Sequence, residues 1–477
     1  MSWILTYNLL EWGIRLVMLP VILRRRFEAT TALAWLMIIF FLPVLGLVLY
    51  GLIGNSGLGR RRVRLHNRVI AALRTPERLA DLRARAAQPQ VAEEVLPLVN
   101  QAERIGGMPV SGGNEMELLG DSEAMIDRLI ADIDAAEHHV HMLFYIYEDD
   151  ETGRRVAEAL VRAAKRGVRC RVLADHAGSR TIFFANGLAS WMNENGVQTV
   201  AALPVRPLRR RLARLDLRNH RKIVVIDGRI GYTGSQNITN ADYGHHHVER
   251  WIDLTGRFQG PVVSQLQVVF MEDWMFETDE YLEGPDIFPL LPRVGEVTAQ
   301  AVATGPGHES EALPRVLLAA IGMAKRKVII TTPYLVPDEP TMLALALAAD
   351  RGVEVSMVVP ARSDHWLVDA AGRAQFERLL ESGVDIYLHR HGTLHAKTMT
   401  VDDSFAVLGS SNMDIRSFYL NFEINVLLYG PQVTRELRFA QMGYLNDSDR
   451  VTLDAWHRRP VGRRYLDAAA ALLSPLL

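Results

Sequence analysis

The residues best suited to chemistry lie in a His-x-Lys-x4-Asp motif that occurs twice, 175 residues apart. The two copies supply His220, Lys222 and Asp227, and then His395, Lys397 and Asp402. A Gly-Ser-x-Asn tetrapeptide begins seven residues after each Asp and adds Ser235, Asn237, Ser410 and Asn412. Because the same tetrapeptide returns at the same offset, the repetition indicates a paired site far more strongly than either copy alone.

Each copy places an imidazole beside a permanent cation. Side chains two residues apart on a strand project from the same face, so His-x-Lys pairs a nucleophile or proton carrier with an ammonium group. The runs that follow, 223–226 and 398–401, predict buried strands ending in hairpin turns at Asp227 and Asp402. We assign these two aspartates to strand-end structure and salt bridging, with a secondary catalytic role. The Ser and Asn of each tetrapeptide supply neutral donors for an anion.

The surrounding sequence alternates between helix and strand patterns in two similar series. The predicted helices are 126–136, 154–166, 313–324 and 341–350, and the predicted strands are 139–147, 169–174, 328–334 and 353–359. Such alternation indicates a parallel or mixed sheet covered by helices. We therefore predict a duplicated α/β fold in which repeats 114–290 and 291–477, each a mixed sheet flanked by helices, meet at a pseudo-two-fold seam that holds both motifs. A helical connector, 59–113, precedes them.

Length, charge and cysteine content narrow the possible classes. A chain of 477 residues is long enough for two or three domains with full cores. Its net charge of −2 offers no overall basic field, so we expect no nucleic-acid partner. The single cysteine, Cys170, excludes an internal disulfide and a multi-cysteine metal site.

The N-terminal residues 1–58 are strongly apolar, and we interpret them as a membrane anchor with hydrophobic segments at about 3–23 and 29–54. The second segment has no charged residue and is long enough to cross a bilayer. The first contains Glu11 and Arg15, spaced and ordered to form a helical ion pair. It is therefore either a second crossing or a re-entrant interfacial helix. Two crossings would form a transmembrane helical hairpin and make the protein multi-pass.

Basic residues beside the segments predict the orientation. Five arginines between residues 60 and 68 follow the second segment, whereas residues 24–26 form a smaller competing cluster. Because positive residues favour the cytoplasmic side, we expect the C-terminal body in the cytoplasm.

The duplicated motif resembles that of the phospholipase D superfamily, and with the apolar N-terminus it most resembles the family of bacterial cardiolipin synthases. Other stretches that carry the resemblance are Thr31–Trp35, Asn219–Lys222, Gly231–Ser235 and Trp251–Asp253. The resemblance covers nearly the whole chain. It implies a transferase of the bacterial inner (cytoplasmic) membrane that joins two phosphatidylglycerol molecules into cardiolipin and releases glycerol. It also implies anionic phospholipid as the partner, no cofactor and no metal.

The resemblance further implies a phosphohistidine intermediate. Lys222 and Lys397 would hold the phosphate, helped by the Ser and Asn of each tetrapeptide, while one histidine attacks and the other carries the proton. Family habit makes His220 the nucleophile and His395 the acid/base, although two equivalent motifs leave either order open. The family also places an acid after each tetrapeptide. In the second repeat this is Glu423; in the first it is Asp253, with Glu249 as the alternative.

Other functions remain open at this level. A hydrolase that uses water and a transferase that takes its phosphatidyl group from phosphatidylethanolamine share the same chemistry. The membrane anchor and the net charge disfavour a nuclease. The arginine-rich segment 206–222 is either a solvated basic face or a segment drawn to anionic lipid, which we favour. His245–His247 is predicted to be a surface or near-site loop rather than a metal site.

Overall fold

The computed structural model describes residues 3–25, 29–54, 60–85, 89, 91–204, 217–243, 250–284, 286–291, 293–306, 308 and 311–472. These residues belong to a small N-terminal unit and a large unit that begins at Arg64. The small unit contains helices α1 (Trp3–Leu23), α2 (Ala29–Phe41) and α3 (Pro43–Ile53).

The second hydrophobic segment is two short helices rather than one long one. Pro43 occupies the first turn of α3, a position that its ring tolerates at a helix start but not in a helix interior. The two helices fold back on each other, since the rings of Trp35 and Tyr50 meet edge to face with centroids 5.2 Å apart. At about 20 Å and about 17 Å, α2 and α3 are each shorter than the hydrocarbon core of about 30 Å.

Only the first segment is long and apolar enough to cross a membrane among the residues that the structure describes, over Leu5–Leu23. The prediction of a continuous crossing through 29–54 is therefore wrong, and a multi-pass arrangement is not supported. The predicted pair within α1 is confirmed, because Arg15 Nη2 donates to Glu11 Oε2 over 3.1 Å. Arg15 Nε also donates to the Phe40 carbonyl over 3.0 Å, which satisfies a backbone oxygen at the end of α2.

Helices and strands then alternate through the remaining chain. Three helices precede the first sheet strand: α4 (Arg60–Leu73), α5 (Pro76–Arg85) and α6 (Leu96–Gly106), with a 3₁₀ turn at Glu93–Val95. The first repeat contains β1 (Ser111–Leu119), α7 (Ser122–Asp134), β2 (His139–Phe144), α8 (Glu151–Lys165), β3 (Arg169–Asp175), α9 (Leu188–Glu194), β4 (Gln198–Ala202), β5 (Ile223–Ile226), β6 (Ile230–Gly234), β7 (Trp251–Ile252), β8 (Thr255–Gln259) and α10 (Val262–Thr278). Its first strand begins within the predicted connector.

The second repeat follows the same plan. It contains β9 (Val297–Thr304), α11 (Ala312–Met323), β10 (Lys327–Thr331), β11 (Leu335–Val336), α12 (Glu339–Asp350), β12 (Glu354–Pro360), α13 (Trp366–Glu381), β13 (Asp385–His389), β14 (Thr393–Leu394), β15 (Thr398–Val401), β16 (Phe405–Gly409), β17 (Met413–Asp414), α14 (Ile415–Tyr419), β18 (Glu423–Tyr429), α15 (Pro431–Asn446), β19 (Ser448–Val451), α16 (Leu453–His457) and α17 (Val461–Ala471).

One continuous mixed sheet joins both repeats. Within the described residues it has fifteen strands, in the order β19-β13-β12-β10-β15-β16-β18-β9-β1-β8-β6-β5-β2-β3-β4. Counting outward from the antiparallel β1–β9 pair, strands β8, β6, β5, β2, β3 and β4 correspond to β18, β16, β15, β10, β12 and β13. The predicted α/β class and duplication are confirmed. The two predicted sheets are half-sheets of a single one, because β1 and β9 pair across the seam.

The central strands are buried on both faces. On β5, Ile223 and Val225 enter one apolar cluster while Val224 and Ile226 enter another, as the two-residue side-chain period requires. The first cluster also contains side chains of α10 and α15 and extends across both repeats. Apolar packing on both faces therefore holds the central strands in place, and the two motifs begin just before β5 and β15.

Candidate active site

The two His-x-Lys segments lie immediately before β5 and β15, outside the strands themselves. Each is held by backbone pairing with the other repeat. The His220 N–H donates to the Phe422 carbonyl over 2.9 Å, and the His395 N–H donates to the Ile252 carbonyl over 2.8 Å. The seam therefore supports both motifs from the repeat in which they do not lie.

A cavity of about 720 Å³ opens between the motifs, and we call it the seam cavity. Its lining includes the predicted residues His220, Lys222, Asn237, Asp253, His395, Lys397, Ser410 and Asn412. Two polar sets that are far apart in the sequence thus face one enclosed volume, which is large enough for a phospholipid headgroup.

The carboxylates pair with the histidines across the seam. His395 Nδ1 lies 2.6 Å from Asp253 Oδ1, and His220 Nδ1 lies 3.2 Å from Glu423 Oε1. Asn421 Nδ2 also approaches His220 Nδ1, at 3.3 Å. Asp253 is within hydrogen-bond distance of His395, and Glu423 lies at ion-pair distance from His220; both carboxylates approach Nδ1, so neither contacts Nε2.

Strand register identifies Asp253 as the counterpart of Glu423. The Gly that opens each tetrapeptide pairs with Thr255 in the first repeat and with Asn425 in the second, and each acid lies two residues earlier. The alternative acid, Glu249, lies outside the described residues.

The two motif serines hold these acids in place. Ser235 Oγ donates to Asp253 Oδ1 over 2.7 Å, and Ser410 Oγ donates to Glu423 Oε2 over 2.5 Å. Both serines are fully buried, and each hydroxyl oxygen accepts a backbone N–H from the residue after the acid. Both hydroxyl protons are directed at carboxylates, which favours a role in positioning the acids. Ser410 also lines the seam cavity, and the help of both serines in holding an anion stays a prediction.

The two lysines are buried, and their carbonyl contacts are equivalent. Lys222 Nζ donates to the His220 carbonyl over 2.8 Å, and Lys397 Nζ donates to the His395 carbonyl over 2.7 Å. Burial lowers the pKa of Lys222 to about 8, against the opposing influence of Glu423. Burial, and then repulsion from Lys222, lower the pKa of Lys397 to about 7. Two adjacent ammonium groups that are poorly solvated form an electrostatic site for a phosphodiester anion.

His395 and Asp253 influence each other's ionisation. Burial, and then the charge of Lys397, lower the pKa of His395 to about 4 even though Asp253 favours the protonated ring. Burial alone would raise the pKa of Asp253, but contact with His395 keeps it below its usual value. A phosphate anion that neutralises the lysines would favour protonation of His395.

Asp227 and Asp402 lie at the other ends of β5 and β15. Each has positive φ, at 53° and 46°, in the turn that closes the hairpin. Asp227 accepts the N–H groups of residues 137–139 over 2.8–2.9 Å, and Asp402 accepts those of residues 325–327 over the same distances. The predicted strand-end role matches these contacts. Neither aspartate is part of the lining of the seam cavity.

Aromatic side chains and a further histidine also contribute to the site. The Tyr145 ring lies 4.1 Å from the His220 ring, and the Trp251 ring meets His395 edge-on at 4.8 Å. His365 also lines the seam cavity. Tyr145 follows strand β2, so only the strand topology could have indicated it.

In the described part of the arginine-rich segment 206–222, the arginines are buried rather than solvent-exposed. Arg221 is fully buried: it pairs with Asp273 over 2.7 Å and donates to the carbonyls of Thr304 and Glu423. Arg218 is nearly buried beside Asp175. A lipid-facing role is therefore wrong for these two residues. The arginines at 206, 209, 210, 211 and 214, and the tract His245–His247, lie outside the described residues.

The described residues contain one group with metal-ligand spacing, formed by Glu377, Glu381 and His457. It lies on α13 and α16, away from the lining of the seam cavity. Glu377 also pairs there with Arg464, which already compensates its charge.

The fold and the paired motifs define a protein of the phospholipase D class. A cardiolipin synthase, PLD-like domain model matches residues 129–274 and 317–441, and a phospholipase D-nuclease N-terminal model matches residues 14–55. Cardiolipin synthase A of Proteus mirabilis is 38% identical over 466 residues, covering 96% of this chain and 95% of that protein. Cardiolipin synthase A of Klebsiella pneumoniae is 37% identical over 485 residues, covering 99% and 98%. The chain belongs to the cardiolipin synthase family of PLD-like proteins, which are phospholipid-modifying transferases.

A solved structure has a similar fold. Phosphatidylserine synthase from Haemophilus influenzae superimposes with a TM-score of 0.61 at 16% identity, covering 80% of this chain and all of that one. At this identity the likeness concerns the fold.

Proposed function

We propose that this protein is a cardiolipin synthase that transfers a phosphatidyl group from one phosphatidylglycerol to a hydroxyl of another, giving cardiolipin and glycerol. The observation that carries the proposal is the pair of crossed histidine–carboxylate contacts beside two buried lysines on one cavity. A single cavity with two proton-handling groups and two cations suits a transfer that proceeds by two displacements at one phosphorus.

In the first step, His220 Nε2 attacks phosphorus and the bond from phosphorus to the glycerol oxygen breaks. His395 gives its proton to the departing glycerol, and Lys222 and Lys397 hold the nonbridging oxygens. In the second step, the hydroxyl of another phosphatidylglycerol gives its proton to His395 and attacks phosphorus. The phosphorus–nitrogen bond breaks, which releases cardiolipin and restores His220. Asp253 stabilises the protonated form of His395, which donates its proton in the first step and is restored in the second.

The order of the histidines can be tested by trapping the intermediate. Labelled phosphatidylglycerol is mixed with wild-type protein and with His395→Asn, quenched with alkali and mapped by peptide mass. We expect label on His220 in the wild type and slower labelling of the same residue in the variant, because the variant lacks the proton donor of the first step as well as the proton acceptor of the second. Label on His395 in the wild type would reverse the assignment, and its absence from both would refute the covalent mechanism.

The reaction itself is tested in vesicles of phosphatidylglycerol containing EDTA, with lipid products and free glycerol measured together. Cardiolipin and glycerol in equal amounts are expected. Phosphatidic acid instead would identify a hydrolase. Cardiolipin formed only after phosphatidylethanolamine is added would identify that lipid as the donor.

We also propose that α1 crosses the bacterial inner membrane once, that the α2–α3 pair enters and leaves the bilayer on one face, and that the catalytic body is cytoplasmic. The length of α1 and the fold-back of α2 on α3 support this arrangement. Ser2→Cys and Ser56→Cys test it with an impermeant thiol reagent on intact cells. Labelling of residue 2 alone is expected. Equal behaviour of both positions would restore the two-crossing arrangement.

A further inference from the structure

Helix α17 carries its apolar side chains on the outside. Val461, Tyr465 and Leu472 are 64%, 74% and 82% exposed, and they recur at spacings that share one helix face. Asp467, in contrast, is buried on the inner side. A surface helix ordinarily shows the opposite pattern, so this outer face is suited to contact with something other than water.

The outer face continues toward the seam cavity. Helix α17 runs antiparallel to α13, because Arg464 contacts Glu377 at 3.2 Å while Ala470 packs in one apolar cluster with Ala370. The last turn of α17 therefore lies at the start of α13. That start carries Trp366, which is 68% exposed.

The residue before Trp366 lines the seam cavity. His365 contributes to the lining and is itself 65% exposed, so it marks the mouth of the seam cavity. The end of α17 and the exposed Trp366 are thus close to this opening of the seam cavity, which His220 and His395 line.

Basic residues lie at the same end of the body as the start of α17. Arg458, just before the helix, and Arg463, in its first turn, are both exposed. An exposed apolar helix face with arginine nearby is suited to the interface of an anionic bilayer. The sequence beyond α17 continues as Leu473-Ser-Pro-Leu-Leu477, which adds no charge.

We propose that the C-terminal apolar face, made of Val461, Tyr465, Leu472 and Trp366, docks on an anionic lipid surface and places the mouth of the seam cavity against it. The face then acts as a second membrane contact, independent of α1 to α3. It presents the opening to lipid headgroups, so that a phospholipid reaches the site without crossing water. Delivery of the substrate rests on the proposed function, whereas docking of the face on a lipid surface does not.

The position of the face is tested with spin labels in the full-length protein. Tyr465→Cys and Leu472→Cys are labelled directly, because the native Cys170 is buried and its pKa is raised to about 12 by burial. The matched control is Phe439→Cys, an equally exposed apolar position on α15. In phosphatidylglycerol vesicles, labels at 465 and 472 should collide with oxygen several-fold more than with a water-soluble nickel chelate, and the label at 439 should show the reverse.

Other outcomes would overturn the proposal. Full exposure of 465 and 472 to the nickel chelate would show a solvated face. Protection from both reagents, with spin–spin broadening, would show contact with a second copy of the chain. Neither result depends on whether the protein makes cardiolipin, so failure of the docking surface is separable from failure of the proposed function.

Turnover provides the second readout. The double variant Tyr465→Ser and Leu472→Ser should lose several-fold activity on vesicles and keep wild-type activity in detergent micelles, where lipid needs no docking. Phe439→Ser should be unchanged in both. Equal loss in micelles and vesicles would mean that the face only stabilises the body, and would overturn the proposal.

Discussion

Replacing Lys397 by Arg tests whether activity depends on the charge of Lys397, an ammonium group that titrates near neutral pH. Burial and the neighbouring Lys222 lower the pKa of Lys397 to about 7, whereas an ordinary lysine titrates near 10.5. Because the ammonium form exists below the pKa, the wild-type cavity loses this charge as the pH rises through 7. A guanidinium keeps its charge throughout this range.

The size of the effect follows from the ionisation. Between pH 7 and pH 9, the protonated fraction of a group with a pKa of about 7 falls from about one half to about 1%. Since kcat/KM reports the free enzyme, the ratio of kcat/KM in Lys397→Arg to that in wild type should rise by roughly 50-fold over those two pH units. The ratio cancels every group that titrates equally in both proteins. The assay is cardiolipin formation from phosphatidylglycerol in mixed micelles.

The equivalent substitution in the first repeat is the control. Lys222 has a pKa of about 8, so in Lys222→Arg the same ratio should begin to rise about one pH unit later. A ratio that stays flat from pH 7 to pH 9 for a folded Lys397→Arg would refute the reasoning. It would show that Lys397 is fully charged in the working enzyme.

Three further outcomes are expected. Asp402→Ala removes the acceptor of three backbone N–H groups, so it should destabilise the body by about 1–3 kcal/mol in thermal unfolding, while kcat of the folded protein stays unchanged; a large loss of kcat would give Asp402 a catalytic role. Arg221→Met leaves a buried carboxylate unpaired and should cost about 3–5 kcal/mol, most of which returns when that carboxylate is also replaced by an apolar residue. No recovery in the double variant would mean that the backbone contacts of Arg221 dominate. Glu423→Gln should change the ring nitrogen NMR signals of His220, and a change confined to His395 would contradict the crossed pairing.

Local patterns predicted the parts of the fold that depend on short-range physics. The helix expected at 154–166 is observed at Glu151–Lys165, and the strand expected at 169–174 at Arg169–Asp175. The turns at Asp227 and Asp402 followed from the apolar runs that precede them, and both are observed. The duplicated motif was enough to place the histidines and lysines on a common site, because matched repeats meet at a symmetric seam.

Contacts between residues far apart in the sequence could not be predicted from local patterns. The acids follow each motif in the sequence, but the β1–β9 seam and the pairing of His220 with Phe422 bring each acid to the opposite histidine. The sequence predicted Arg221 to be part of a basic surface. Arg221 is buried instead, where it pairs with Asp273, 52 residues away in the sequence. The fold-back of α2 on α3 was missed because composition reports how apolar a segment is, and not where a proline in its middle turns it.

The crossed contacts have a consequence for how the two repeats can change over time. Each repeat alone contains both parts of the duplicated motif, yet neither contains both members of a histidine–carboxylate pair, since Glu423 contacts His220 and Asp253 contacts His395. Replacing the acid of one repeat should therefore act first on the histidine of the other repeat. Because each histidine contacts a carboxylate of the opposite repeat, we expect the loss of either acid to weaken the one site that both repeats build.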